Sequence, residues 1–153
     1  MSISIIPTVQ AIQARYALDW NGLHGVAHWA RVYENGLRIV DLHDVNQDVL
    51  LLFSIFHDSC RVNDTVDPGH GRRGVELAEE LRWNCFEFTD GEFDMLFHAC
   101  ELHTDGDLSV QVCWDADRLD LARVGFTPKP EKLCTKAAKD SEIIAWASDR
   151  ARS

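Results

Sequence analysis

Residues 49–58, with the sequence VLLLFSIFHD, determine the fold of this chain. The run from Val49 to Phe56 carries no charge and ends in the pair His57 and Asp58. A helix that is apolar on every side belongs in the centre of a domain, and a carboxylate at its end is costly to bury unless a positive group meets it. A divalent metal ion bound by His57 and Asp58 would meet that carboxylate. A hydrogen-bonded His-Asp pair at a frayed helix end is the alternative interpretation.

Length and composition indicate one globular domain in a reducing compartment. The 153 residues are near the commonest domain size. Five cysteines without a Cys-x-x-Cys spacing predict neither a disulfide framework nor a zinc–thiolate site, so a cytoplasmic location is expected. The net charge of -10 argues against duplex nucleic acid as a partner but still allows a small phosphorylated ligand, which a metal ion and a few arginines can hold. No signal peptide and no membrane-spanning run are recognised.

Helical periodicity predicts an all-α fold, a bundle of six or seven helices. A single domain is expected over residues 1–153, with a core at about 22–125 and a C-terminal helix at about 131–150 packed on it. Thr89 and Glu92 have the spacing of a capping box at one helix start. The predicted helices cover residues 5–16, 24–43, 46–60, 68–83, 89–103, 108–124 and 131–150.

A carboxylate interrupts the apolar stripe of the predicted helix 108–124. An unpaired Asp117 on that stripe would destabilise the fold by several kcal/mol, so it must be paired, protonated or bound to a cation. Its neighbours Asp115 and Asp120 are interpreted either as solvated groups or as groups that support the ligands of a cation, and Arg118 could pair with any of the three. The residues of the stripe are Val110, Cys113, Asp117, Leu121 and Val124.

Basic residues begin the helix that follows the polar loop. Asp67 and Pro68 are a favourable N-cap and first-turn pair for this helix. His70 then stands at its N-terminus beside Arg72 and Arg73, where free amides and two guanidinium groups would suit an anion. An ordinary solvated first turn explains the same residues equally well.

Three helices therefore each present a potential metal ligand. His28 lies at the edge of the apolar arc of helix 24–43, one turn after His24, where a lone histidine is most often a satisfied core-edge residue. Two imidazoles and two carboxylates together suit a divalent metal ion such as manganese, iron, cobalt, nickel or zinc, with places left for water and a substrate oxygen. Water on such an ion is acidic enough to act as a nucleophile near neutral pH. The four potential ligands are His28, His57, Asp58 and Asp117.

The ordered set of His28, His57-Asp58 and Asp117 resembles the HD superfamily of metal-dependent phosphohydrolases. The resemblance covers about residues 22–125. It is specific for the fold and the metal site and less so for the substrate. The supporting stretches are HGVAHWARV (24–32), which resembles the opening helix of the family, HGRRGVELA (70–78), which resembles the helix after the HD pair, and CELHT (100–104), which resembles the end of the next helix that carries a histidine.

The resemblance implies a helical fold in which His28, His57, Asp58 and Asp117 ligate one divalent transition metal ion. Asp115 is the competing choice for the last ligand within the sequence DADRLD. We prefer Asp117 because it lies on the apolar stripe and follows the Ala-Asp pattern of the family.

The resemblance leaves a second metal ion open. Some members of the family hold two metals with further histidines, and His70 and His103 match those positions, either as metal ligands or as phosphate contacts. The short loop between His57 and His70 leaves the two-metal case undecided. The Gly-Tyr-Pro signature of the cyclic-dinucleotide phosphodiesterase branch is absent after Asp105-Gly106, which argues against that branch.

We therefore predict a metal-dependent hydrolase of a phosphoester or phosphoanhydride, with a nucleotide as the expected substrate and metal-bound water as the nucleophile. Asp58 is assigned as the catalytic residue, a ligand that also orients the nucleophile. The residues expected to bind the substrate phosphate are Arg61, Arg72, Arg73 and Arg118.

Three alternatives remain. A di-iron, oxygenase-like enzyme on the same fold would need His70 and His103 as ligands, and one metal ion per chain would exclude it. A non-enzymatic ligand sensor that retains the metal would release no phosphate from any substrate. A helical domain whose buried polar residues only pair with one another would contain no metal.

Overall fold

The structure is a computed structural model that describes residues 3–41, 43–101 and 107–153. These residues form seven α-helices and two short 3-10 turns, with no strand beyond an isolated bridge between Arg82 and Phe86, so the all-α prediction is confirmed. The elements are α1 (Ile5–Gln13), α2 (Val26–Ile39), α3 (Gln47–Phe56), α4 (His70–Leu81), α5 (Asp90–Cys100), α6 (Leu108–Arg118), the 3-10 turns Leu121–Val124 and Pro130–Lys132, and α7 (Ser141–Arg152).

The apolar stretch of the sequence forms α3, which lies at the centre of the bundle. Its side chains from Val49 to Phe56 are buried except Leu51, and α3 contacts α2, α4, α5 and α6. The side-chain oxygen of Asn46 accepts a hydrogen bond from the backbone N–H of Val49 (3.0 Å) and so begins the helix. The helix ends at Phe56, earlier than predicted, and the pair of residues after it therefore lies at the C-terminal end of a buried helix.

Two glycines bring α4 into backbone contact with its neighbours. A Cβ atom on Gly74 would lie 2.1 Å from the carbonyl oxygen of Phe56, and one on Gly71 would lie 1.9 Å from that of Cys100. Only glycine allows approaches this close. The packing places His70, at the start of α4, beside the end of α3.

The N-terminus of α4 differs from the prediction. The helix begins at His70 with Gly69 as the N-cap residue, in the left-handed conformation (φ 79°). Asp67 does not cap the helix, because its carboxylate accepts hydrogen bonds from the guanidinium of Arg73 (2.6 Å) and the backbone N–H of Val62 (2.8 Å).

The predicted helix 108–124 consists of two elements. The α-helix ends at Arg118 and a tighter 3-10 turn follows, closed by Gly125 in the left-handed conformation (φ 91°). This change of geometry turns the carboxylate of Asp120 toward His28.

The last helix begins later than predicted. We expected it at residues 131–150, but α7 begins at Ser141. The backbone N–H groups of Cys134 and Thr135 donate hydrogen bonds of 2.7 Å to the carboxylate of Asp115, so this segment cannot use them in a helix. The helix itself packs on α2 and on the 3-10 turn after α6.

Candidate metal centre

Three helices bring the four predicted ligands together. His28 lies in the first turn of α2, Asp117 lies in the last turn of α6, and His57 and Asp58 follow the last residue of α3. The side chains of His28, His57 and Asp58 are at most 4% exposed, whereas that of Asp117 is 28% exposed. The group is therefore closed on the side of the core and open on the side of Asp117.

The distances among His28, His57 and Asp58 suit one shared cation, because one donor atom of each lies within 4.8 Å of the other two. The Nε2 atoms of His28 and His57 are 3.0 Å apart, and Asp58 Oδ2 lies 3.3 and 3.4 Å from them. Asp117 Oδ1 lies 3.3 and 3.5 Å from the same two nitrogen atoms. Two donors that bind one ion at about 2.1 Å are separated by roughly 3.0 to 3.4 Å in octahedral or tetrahedral geometry. The donor set of two imidazoles and two carboxylates therefore fits a divalent transition metal ion.

Hydrogen bonds orient both imidazoles toward that shared position. His57 Nδ1 lies 3.0 Å from the carbonyl oxygen of Phe53 and 3.1 Å from that of Ser54, so this nitrogen donates. His28 Nδ1 lies 2.6 Å from Asp120 Oδ2. Both Nε2 atoms then carry a lone pair, and two lone pairs 3.0 Å apart need a proton or a cation between them.

The charges of the group depend on one another. Burial disfavours the imidazolium of His28, but hydrogen bonds with Asp117, Asp120 and Asp58 outweigh this effect and raise its pKa to about 9. Burial also disfavours the charged form of Asp58, yet the charge of His57 and hydrogen bonds with two other histidines hold its pKa well below the usual range. The pKa of Asp117 is likewise lowered, against its burial, by His57 and His28. The two carboxylates thus favour a positive charge at the position between them, which a metal ion can supply in place of a proton.

We expect the metal-free protein to be most stable between about pH 4 and pH 6.5. The lowered pKa values of Asp58 and Asp117 contribute stability above the ordinary carboxyl pKa of 3.8, and this contribution is lost as the pH falls below it. The raised pKa of His28 contributes stability that is complete below 6.5 and is lost as the pH rises through about 9. Melting temperatures measured with a chelator from pH 3 to pH 9.5 should show both declines. Saturating metal should remove the alkaline decline, and a flat profile above pH 6.5 without metal would contradict this assignment.

Asp115 and Asp117 have different surroundings. Asp115 is fully buried and accepts hydrogen bonds of 2.7 Å from the backbone N–H of Cys134 and from both the backbone N–H and the hydroxyl of Thr135. It therefore holds the segment before α7. Of these two aspartates, Asp117 has its carboxylate 3.3 and 3.5 Å from the Nε2 atoms of His28 and His57, and it stays our predicted ligand.

Substituting Asp115 and Asp117 separately should show that one mainly affects the stability of the fold and the other mainly affects metal binding. Asp115→Asn should lower the free energy of unfolding by about 2 kcal/mol or more, because a fully buried, charged acceptor of three hydrogen bonds is lost, and should leave the metal content unchanged. Asp117→Asn should weaken metal binding at least about tenfold, because losing a ligand should cost at least as much affinity as losing a group that supports a ligand. Its effect on the free energy of unfolding of the metal-free protein should be smaller than that of Asp115→Asn. Denaturant titration and equilibrium dialysis with Mn²⁺ measure the two effects. The reverse pattern would make Asp115 the ligand.

Three further residues belong to the site. Asp120, one of the two acids interpreted as solvated or supporting, is fully buried and binds His28 Nδ1 and the Nε of Arg31 (2.8 Å), so the solvated interpretation is wrong. His24 Nδ1 lies 3.2 Å from Asp58 Oδ2, and its position one turn before His28 was the only sequence signal for it. Arg123 donates to the carbonyl oxygens of Leu23 (2.9 Å) and Asp120 (3.1 Å), and no sequence pattern marked it.

A cavity of about 350 Å³ lies over the open side of the group. The guanidinium of Arg118 stacks on Trp114 in its wall, 5.2 Å from the ring centroid, and makes no ion pair with any described residue. This is notable in a chain with ten more acidic than basic residues. The cavity is lined by His24, Asp58, Arg61, Asp64, Thr65, His70, Trp114, Asp117, Arg118, Leu121, Arg123 and Val124.

The other predicted basic residues divide into two groups. Arg61 and His70 line the cavity. Arg72 and Arg73 do not line it, and their guanidinium groups pair with Glu101 (2.7 Å) and Asp67 (2.6 Å). A neighbouring cavity of about 460 Å³ at the start of α4 shares Arg61 and His70 with the first and also includes Arg72.

His103, the other predicted histidine, lies outside the described residues.

One solved structure gives a match over nearly the whole chain. It is the crystal structure of a predicted HD superfamily hydrolase from an uncultured Thermotogales bacterium. The match has a TM-score of 0.68 and 26% sequence identity, and it covers 97% of this chain and 86% of the other. No protein-family model and no curated protein matches the chain. None of the described helices has the length and hydrophobicity needed to cross a membrane.

Proposed function

Since this chain has the fold of the HD superfamily, we propose that it is a metal-dependent phosphohydrolase that acts on a phosphoester or phosphoanhydride, with a nucleotide as the expected substrate. The observation that carries the proposal is the meeting of donor atoms of His28, His57 and Asp58 at 3.0 to 3.4 Å from one another, beneath a cavity lined by three arginines. Asp117 adds a carboxylate 3.3 and 3.5 Å from the two histidine nitrogens. Such an arrangement can hold a metal ion and a phosphate side by side.

His28, His57, Asp58 and Asp117 would hold the metal ion. A bound divalent ion lowers the pKa of water and polarises a phosphoryl oxygen. Manganese, iron, cobalt, nickel and zinc all accept this donor set. The three least exposed residues exclude solvent from the inner side, so substrate approaches from the side of Asp117.

Asp58 is the proposed catalytic residue because its two oxygen atoms face different groups. Oδ2 faces His28 and His57, whereas Oδ1 faces His70 and Arg61 at the floor of the cavity. In this position Asp58 can contribute one oxygen to the metal site and use the other to orient the nucleophile and accept its hydrogen bond.

Arginines in the cavity would bind the phosphate. Arg118 has no acidic partner among the described residues, and its planar guanidinium can bind two phosphate oxygens at once. Arg61 and Arg123 are fixed by backbone carbonyl groups and add positive charge to the same wall. Arg72 and Arg73 are weaker candidates because each already pairs with a carboxylate.

The cavity suits a small molecule rather than a polymer. Its volume of about 350 Å³ is within the range of small-molecule sites. The indole ring of Trp114 gives one wall an aromatic surface on which a nucleobase could stack. These two features support a nucleotide as substrate.

A phosphate-release assay tests the proposal. The purified protein is first analysed for bound metal, then stripped and reloaded with Mn²⁺, Co²⁺ or Ni²⁺. Phosphate release is measured with nucleoside mono-, di- and triphosphates, sugar phosphates and aryl phosphates. We expect release that requires metal and is lost in His57→Ala. Activity retained in His57→Ala, or in protein free of metal, would refute the proposal.

The same measurements separate the alternatives. A metal-loaded protein that releases phosphate from none of these compounds would be a ligand sensor. Two iron ions per chain together with oxygen consumption would indicate the oxygenase-like enzyme. A protein that binds no transition metal would be a helical domain with paired buried polar groups.

A further inference from the structure

The outer oxygen of Asp58 faces two groups outside the proposed metal site. Oδ1 lies 3.1 Å from the Nε of Arg61 and 3.4 Å from the Nε2 of His70. His70 Nδ1 lies 2.7 Å from the carbonyl oxygen of Asp67 and donates to it, so Nε2 carries the lone pair. An imidazole lone pair and a carboxylate oxygen 3.4 Å apart are separated as two donors on one cation would be. Without Arg61, this position would suit a second metal ion.

Arg61 is held at this position from two directions. Its Nε donates to Asp58 Oδ1, and its Nη1 donates to the carbonyl oxygens of Asn63 (3.3 Å) and Thr65 (3.1 Å). The side chain is only 12% exposed, although it belongs to a loop. A guanidinium group does not lose its proton in proteins, so this positive charge is permanent.

We propose that the guanidinium of Arg61 is a built-in cation that occupies the place of a second metal ion, so that the chain binds one metal ion. The hydrogen bond from Arg61 uses the oxygen that a bridging carboxylate would have to offer to a second ion. A divalent ion beside a fixed guanidinium would also meet like-charge repulsion in a partly buried site.

The position of Arg61 also assigns it a role toward the substrate, and this part rests on the proposed function. Its Nη2 makes no hydrogen bond with any described residue, and the side chain lines the cavity over the metal site. Nη2 can therefore donate to a phosphoryl oxygen while Nε stays on Asp58. Arg61 would neutralise part of the negative charge of the phosphate.

Metal stoichiometry tests the inference without any assay of hydrolysis. Equilibrium dialysis with Mn²⁺, followed by elemental analysis, should give one ion per chain for the full-length protein. Arg61→Met, which removes the charge and keeps an unbranched apolar side chain, should bind a second ion more weakly than the first. Arg61→Met combined with His70→Ala should return to one ion. Arg15→Met is the matched control, since Arg15 also pairs with a carboxylate, but that carboxylate is Glu80 and the Arg15 side chain is half exposed.

Every outcome decides the inference. Two ions bound to the unaltered protein would overturn it, and this result needs no variant to fold. A single ion in a folded Arg61→Met protein would also overturn it. If Arg61→Met does not fold, Arg61→Gln is measured in its place under the same criterion. A chain that binds one ion, gains a second in the variant and still hydrolyses no phosphate compound would uphold the metal assignment while refuting the proposed function.

Discussion

Asp58→Asn is expected to remove metal binding and phosphohydrolase activity together. The substitution keeps the shape of the side chain and removes its negative charge. Four histidines lie within 3.4 Å of the carboxylate, and Arg61 donates to it at 3.1 Å. Without that charge, the metal site loses a ligand, and the positive charge of Arg61 beside it is no longer compensated. We expect metal affinity to fall by about 100-fold or more, beyond the range for residues that only support a ligand.

The loss of activity should be larger than the loss of affinity predicts. At metal concentrations that saturate the variant, phosphate release should still fall by roughly 10³-fold or more, because a group that orients the nucleophile is lost as well as a ligand. Measuring the rate of phosphate release over a range of metal concentrations gives both the metal affinity and the rate at saturating metal. Asp149→Asn is the control, since it makes the same change of charge at a carboxylate that is 78% exposed. A folded Asp58→Asn protein with full metal content and full activity would refute the assignment.

Local patterns in the sequence predicted the elements whose stabilising contacts are also local. The uncharged run from Val49 to Phe56 forms the buried central helix, and the capping box of α5 is present, with Thr89 Oγ1 accepting from the backbone N–H of Glu92 at 3.1 Å. The N-cap predicted at Asp67 failed because that carboxylate binds an arginine on α4 itself. The residue types around Asp67 could not reveal that Arg73 would bind its carboxylate in place of the backbone N–H groups of the helix.

Contacts distant in sequence explain the other differences. The segment before α7 reads as helical, but two of its backbone N–H groups are bound by Asp115 on α6. Asp115 and Asp117 have the same chemistry. Only their positions on the folded helix make Asp115 the acceptor that fixes the segment before α7 and Asp117 the potential metal ligand. The apolar stripe in the sequence favoured Asp117, whose carboxylate lies 3.3 and 3.5 Å from the two histidine nitrogens, and its role as a ligand stays a prediction.

The parts of the site that sequence reasoning missed depend on the fold. The hydrogen bond between His28 and Asp120 joins residues 92 positions apart, and that between Arg123 and Leu23 joins residues 100 positions apart. The residue types predicted a metal site because few other partners satisfy buried imidazoles and carboxylates. They could not predict which arginine would face the cavity, because every arginine is chemically able to bind a phosphate.

Gly74→Ala is expected to cause a large loss of stability, because the added methyl group would meet the backbone of α3 beside the site. The new Cβ would lie 2.1 Å from the carbonyl oxygen of Phe56 and 3.1 Å from its carbonyl carbon. These are backbone atoms of α3 and cannot turn aside as a side chain can. We expect the free energy of unfolding to fall by about 3 kcal/mol or more, a decrease of roughly 6 to 12 °C in melting temperature for a domain of this size.

Gly91→Ala is the matched control for this effect. Gly91 also lies in a helix, but the atom nearest to an added Cβ is Thr89 Oγ1, 4.0 Å away. Alanine restricts the unfolded chain more than glycine does, so this variant should be unchanged or more stable by up to about 1 kcal/mol. Equal melting temperatures for the two variants would show that the close approach of α4 to α3 is not required.

The Gly74→Ala protein should also bind metal less well, because Phe56 directly precedes His57 and Asp58. Moving α4 away from α3 separates His70 from Asp58 and displaces the end of the helix that positions both proposed ligands. Co²⁺ absorption spectra of the unaltered and variant proteins, recorded well below their melting temperatures, would report a changed ligand geometry. An unchanged spectrum in a destabilised variant would mean that the metal site tolerates the displacement. In that case α4 contributes to folding and not to the positions of the ligands.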